Sequence, residues 1–207
     1  MGIEMKDWDF DWEDRPDEEK QDRVKSRALK RYEQNIKTHQ ERYRQLSDMT
    51  AIPKPGEQYL IVTEKKFNAF TIISGVVEKG IIDEMYLAVY RTNQSTTNAI
   101  IDYINNGKIL RGAMIISNFF QQTVQSEKWT ANLVLFTEEH PRFKVAFVQS
   151  HAKVIALRAG SNHYVLEGSG NMTQNAMIEQ YRYENSKEVF NFHKQWITEL
   201  TDAEKEI

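Results

Sequence analysis

The sequence predicts an α/β fold: a mixed sheet flanked by helices on both faces, with an N-terminal helical extension. Three observations carry that expectation. From about residue 57 onward, strand-length apolar runs alternate with helix-period segments, as in a parallel or mixed sheet covered on both sides. The runs "EMYLAVYR" and "GAMIISN" are apolar nearly throughout and do not alternate, which suits strands buried on two faces. Before them, "TAIPKPG" closes a long charged segment, because Pro53 and Pro55 cannot continue a helix and Gly56 follows.

Taken in chain order, residues 1 to 19 carry nine acids against Lys6 and Arg15, a balance of −7, with Trp8, Phe10 and Trp12 interleaved. Such charge density with little aliphatic content predicts an acidic disordered tail over residues 1–16. Residues 20 to 44 reverse the sign, with nine bases against Asp22, Glu33 and Glu41, a balance of +6. Val24, Ala28, Tyr32, Ile36, His39, Tyr43 and Leu46 fall at spacings of four and three, which predicts a helix over 17–50 with one narrow stripe. A stripe that narrow suits a seam for dimerising or for docking a protein partner.

The globular domain is expected over 57–207. Within it "FNAFTIISGVVEKG" reads as a helix and "EMYLAVYR" as a buried strand. The next helix, "STTNAIIDYINNG", has Ser95 or Thr96 as its cap and Gly107 as its stop. Strands follow at "GAMIISN", "NLVLFTE", "FKVAFVQ", "AKVIALRA" and "HYVLEG", the last two joined by a hairpin turn near Gly160 to Asn162. A short helix after Asn171, a strand at "EQYRYE" and a final helix to about Leu200 complete the domain.

Composition removes several classes of function. The 207 residues suit one domain with an appended segment. The absence of cysteine excludes disulfides, thiolate catalysis and cysteine-ligated metals. No apolar run approaches the roughly 18 residues of a membrane span, and the start lacks a basic stretch leading into an apolar one, so a soluble, cytoplasmic protein without membrane contact is expected. The net charge of −3 gives no global sign of a polyanion partner, so any such binding must come from a local patch. Neither G-x-G-x-x-G after a strand nor G-x-x-x-x-G-K-[ST] occurs, and neither does H-E-x-x-H or G-x-S-x-G.

What remains is "QSHAKVIALRAGSNHYVLEGSGN", residues 149 to 171. It is either an ordinary hairpin with a decorated edge or a convergent anion site. If His151 and Lys153 lie on a strand, they project from one face side by side. The hairpin then returns Gly168 close to His151. Gly168 and Gly170 would let backbone approach a phosphate, while Ser169 and Asn171 add neutral donors.

The order H-x-K, hairpin, G-S-x-N resembles the signature of the phospholipase D superfamily, written here as His151-Ala152-Lys153 and Gly168-Ser169-Gly170-Asn171. The resemblance covers roughly residues 58 to 190 and implies that family's α/β sandwich. It also implies a metal-independent phosphodiesterase, needing no cofactor, in which His151 is the nucleophile that forms a phosphohistidine. Lys153 and Asn171 would hold the phosphoryl oxygens, a second histidine would protonate the leaving group, and Glu179 would orient His151, with Glu184 as the alternate. A neutral imidazole beside fixed donors is chemically suited to that role.

The sequence departs from the family in two ways. Arg158 stands where the family carries an aspartate, with a choice between pairing to Glu167, exposure on the hairpin loop and an inward position. Its odd separation from Lys153 predicts the opposite face of the strand. Only one copy of H-x-K is present, since His39, His140, His163 and His193 each lack a lysine two residues on. A single copy implies a homodimer sharing one site across a two-fold axis. The other histidines are expected to be surface or packing residues, and Lys65, Lys66 and Arg111 to be solvated. The expected function is therefore a dimeric nuclease acting on nucleic acid or another phosphodiester. The alternative is a catalytically silent module of the same fold that binds nucleic acid or a protein.

Overall fold

The computed structural model describes residues 37–43, 52–63, 68–121, 127–173 and 178–203. Its strands are β1 (Lys37–Tyr43), β2 (Glu57–Thr63), β3 (Glu84–Val89), β4 (Gly112–Ser117), β5 (Phe143–Val148), β6 (Val154–Ala159), β7 (Asn162–Gly168) and β8 (Glu179–Asn185). Its helices are α1 (Phe70–Lys79), α2 (Gln94–Asn105), α3 (Asn118–Gln121), α4 (Glu127–Glu139) and α5 (Lys187–Ala203). Among the described residues the strands form one sheet in the order β1-β2-β8-β7-β6-β3-β4-β5. Strands β3, β4 and β5 run parallel, and β6 lies antiparallel to β3, so the sheet is mixed as expected.

The apolar runs do what two-sided burial demands. All six residues of β3 and all six of β4 are buried. Odd-numbered residues of β3 and β6 (Met85, Leu87, Val89, Ile155, Leu157) join Ile72, Ile73, Ile100 and Leu133 in the core beneath α1, α2 and α4. Tyr86, Ala88, Val154 and Ala156 pack on the other face against Val189, Phe190 and Ile197 of α5. One long helix covers that face of the central strands, and toward the β2 side Leu60 and Val62 remain exposed. Gly160, at φ 59°, opens the tight turn between Ala159 and Asn162, as the left-handed conformation of such hairpins requires.

Several expectations are corrected. The segment 37–43, expected as helix, is strand β1, paired in parallel with β2 from Lys37↔Glu57 to Tyr43↔Thr63. The free edge of β2 offers a row of backbone donors and acceptors that a strand can meet and a helix cannot. The rest of 17–50 and the acidic tail 1–16 lie outside the described residues.

"NLVLFTE" belongs to α4 and not to a strand. There Thr130 and Leu133 are buried while Val134 and Leu135 are exposed, so the run has one buried face, and a short apolar run alone does not separate helix from strand. The cap of α2 is Asn93, whose Oδ1 accepts from Thr96 N at 2.8 Å and from Ser95 Oγ at 2.7 Å. Gly107, at φ 66°, stops that helix as expected. Residues 171–173 are not helical, and 174–177 lie outside the described residues.

Candidate active site

The carboxyl ends of β3, β4 and β5 open at one end of the sheet, where the amino end of antiparallel β6 also begins. His151 and Lys153 sit there, immediately before β6 and not within it. The ladder starts only where Val154 finds Ala88, because β3 ends at Val89. Ser150 Oγ accepts from Ala152 N at 3.1 Å and holds the bend. The two side chains still meet: Lys153 Nζ lies 3.1 Å from His151 Nδ1 and donates to the His151 carbonyl at 3.1 Å. His151 is exposed and Lys153 is half-buried. Burial makes the Lys153 ammonium easier to deprotonate than an ordinary lysine, and the charge of Glu179 partly offsets that.

The hairpin brings its far end back as expected. Gly168 N donates to Lys153 O at 3.3 Å, and Ser169 exchanges backbone and side-chain hydrogen bonds with Gln180. Ser169 Oγ also donates to Glu179 Oε2. Asn171 Oδ1 accepts from Arg91 N at 3.1 Å. A backbone N–H can only donate, so this contact fixes the carboxamide with Oδ1 toward Arg91 and leaves Nδ2 as its donor side.

The two glycines have a steric reason that the sequence does not reveal. A Cβ on Gly168 would lie 2.4 Å from both Gln180 O and Tyr181 Cδ1, and one on Gly170 would lie 1.8 Å from Tyr181 Oη and 3.3 Å from Glu179 Cδ. The glycines therefore make room for Tyr181 and for the β8 backbone. That packing lets buried Glu179 reach the rim from below.

The expected residues thus lie around one mouth. On His151 Nδ1 stands the ammonium of Lys153, while Glu179 takes the Ser169 hydroxyl and biases Lys153 electrostatically. Glu184 is remote from this mouth: it lies opposite Val165 in the middle of β7 and pairs with Arg182 at 2.8 Å.

Arg158 leaves the face opposite Lys153, as its spacing predicts, but its partner is neither Glu167 nor solvent. Its Nε meets Glu84 Oε1 at 3.1 Å and its Nη1 meets Asp83 Oδ2 at 3.6 Å. Glu167 pairs instead with Arg182 and His193. Arg111, expected to be solvated, also reaches Glu84, at 2.7 Å. His140 stacks on Phe136, His163 packs edge-on to Phe190 and His193 is buried beside Trp196, so all three are packing histidines. Among the described residues no three His, Asp or Glu side chains converge as metal ligands. No described helix is long and apolar enough to cross a membrane.

Sequence reasoning missed two aromatic residues at this mouth. Tyr90 follows β3, and its ring centroid lies 4.6 Å from that of His151. Phe119 follows β4 and stacks on Tyr90 at 6.1 Å and 17°. The available signal was an aromatic residue just beyond each of two fully buried strand runs, where α/β sheets place ligands.

Neither a family model nor a curated relative matches the sequence. Among solved structures, a polyphosphate kinase from Porphyromonas gingivalis is similar at 11% identity and a TM-score of 0.50, over 69% of this chain and 26% of that one. A phosphatidylserine synthase from Haemophilus influenzae Rd KW20 is similar at 11% identity and a TM-score of 0.46, over 70% of this chain and 38% of that one. TrmBL2, an archaeal chromatin protein, is similar at 11% identity and a TM-score of 0.44, over 68% of this chain and 51% of that one. The chain therefore spans about a quarter to a half of the length of these proteins. At such identity the likeness to the kinase is one of fold alone, and the α/β sheet with helices on both faces is consistent with a phospholipase-D-like sandwich.

Proposed function

We propose that this chain is a metal-independent phosphodiesterase, specifically a nuclease, acting through a phosphohistidine at His151 in a site shared by two copies. The observation that carries the reading is the gathering of His151, Lys153, Ser169 and Asn171 at one open mouth over the strand ends. The fold shared with a polyphosphate kinase supports phosphoryl chemistry in general. A His151 ring nitrogen forms the N–P bond as the P–O bond to the leaving alkoxide breaks. The alkoxide takes its proton from the His151 of a second copy; that ring, now neutral, accepts a proton from the water whose oxygen forms a new P–O bond as the N–P bond breaks, which restores both imidazoles to their starting states. Lys153 and the Asn171 amide hold the non-bridging oxygens, where fixed donors lower the barrier most. A bound phosphate draws the ammonium off Nδ1 and frees the ring.

A second reading, a catalytically silent module that binds nucleic acid, is favoured by that same contact, because Lys153 occupies the nitrogen that an orienting carboxylate would need. One assay separates the two: hydrolysis of single-stranded DNA or a chromogenic diester in excess EDTA, with light scattering on the same sample. Turnover is expected to persist at a mass twice that of the monomer, and His151→Asn should lower it by about a thousandfold or more. Dependence on added magnesium, or a loss below about tenfold in His151→Asn, would sink the mechanism. Tight binding without turnover would establish the silent module.

A further inference from the structure

The aromatic rings beside His151 and Lys153 are not explained by packing alone. Phe119 is 64% exposed, although a phenyl ring normally gains by burial. It lies nearly parallel to Tyr90, which in turn lies against His151, and the Lys153 ammonium sits 5.6 Å over the Tyr90 ring. Flat rings and the Lys153 cation thus run in one row from the open rim to the His151-Lys153 pair. All of these residues stand on backbone just beyond the ends of rigid strands: β3 for Tyr90, β4 for Phe119 and β6 for Lys153.

We infer that Tyr90 and Phe119 form a base-stacking platform beside His151 and Lys153, which fits the site to a single-stranded nucleic acid whose bases are free to stack. The inference rests on the phosphodiester reading above and names its substrate class. Every nucleobase offers a π face, so the platform selects unpaired bases without choosing a sequence. In a duplex those faces are already stacked on neighbouring pairs, so the platform has nothing to engage. A phosphodiester without a base would hold only the Lys153 end.

The test uses the full chain in EDTA with two labelled, cleavage-resistant phosphorothioate oligonucleotides of equal length, one of thymidylate and one an abasic backbone. Fluorescence anisotropy should show the thymidylate strand bound more tightly by roughly 5- to 150-fold for each stacked base. Phe119→Ala should remove most of that preference while leaving the affinity for the abasic strand unchanged, and Phe119→Trp should restore it. Equal affinity of the natural chain for both strands, or an undiminished preference in Phe119→Ala, overturns the platform and leaves the phosphodiester site standing. Failure to bind either strand overturns both readings.

Discussion

At the scale of single residues, the candidate site shows which parts of a motif are chemical and which are steric. The gathering of His151, Lys153, Ser169 and Asn171 was legible because their residue types suit an anion site and a hairpin of the observed length brings them together. The purpose of Gly168 and Gly170 was not, since it depends on Tyr181, which approaches from a neighbouring strand. Burial and the charge of Glu179 both push the Tyr181 hydroxyl toward its neutral form, so the ring is a fixed, uncharged wall. Gly170→Ala is therefore expected to displace that wall and with it the Glu179-Ser169 contact. The overpacking should cost about 1–3 kcal/mol, read as a lowered urea midpoint with an unchanged slope. Activity should fall further than the folded fraction does. A variant of unchanged stability and activity would mean that the rim is looser than its geometry implies.

At the scale of elements, α5 and the central strands are joined by charge as well as by the Val189, Phe190 and Ile197 contacts. Glu84 at the start of β3 accepts from Lys194 of α5 at 2.5 Å, from Arg111 ahead of β4 at 2.7 Å, from Arg158 of β6 at 3.1 Å and from Tyr86 at 2.9 Å. The periodicity of β3 and β6 told which face each residue occupies but not which residues become neighbours across the sheet. For that reason the face of Arg158 was legible and its partner was not. The strand character of 37–43 was hidden for a related reason, because it depends on pairing with the edge of β2, a partner distant from it in the pattern of the sequence. Arg158→Asp would replace one of three cations around Glu84 with a carboxylate beside Glu84 and Asp83. It should destabilise the protein by about 2 kcal/mol, part of the interaction being screened by solvent at a partly exposed arginine. Turnover per folded molecule should stay unchanged, because Arg158 lies at the far end of β6 and on the opposite face from Lys153. A gain in turnover would place Arg158 in the catalytic machinery and overturn this assignment.

At the scale of the whole molecule, the Glu84 cluster gives folding a specific dependence on pH. Burial is the largest single influence on the Glu84 carboxyl and pushes its pKa up. The hydrogen bonds from Lys194, Arg111 and Tyr86, with the charge of Lys194, together outweigh it and hold the group at about 2, against 4.5 when unfolded. A carboxyl depressed in the folded state stabilises above its unfolded pKa, and that stability is lost as pH falls through the folded value. The window is therefore about pH 4.5 down to 2, with no contribution to the slope near neutrality. Fully counted, the shift corresponds to on the order of 3 kcal/mol, less what the partly exposed Lys194 and Arg111 lose to screening. Other carboxylates titrate in the same range, so the measurement is a difference: urea unfolding of the natural chain and of Glu84→Gln at pH 7 and at pH 3. Glu84→Gln should be less stable at pH 7, and the gap between the two proteins should narrow on acidification. A constant gap would mean that the three cations act on Glu84 by packing and geometry alone, leaving the hydrophobic contacts of α5 as what holds the helix to the sheet in acid.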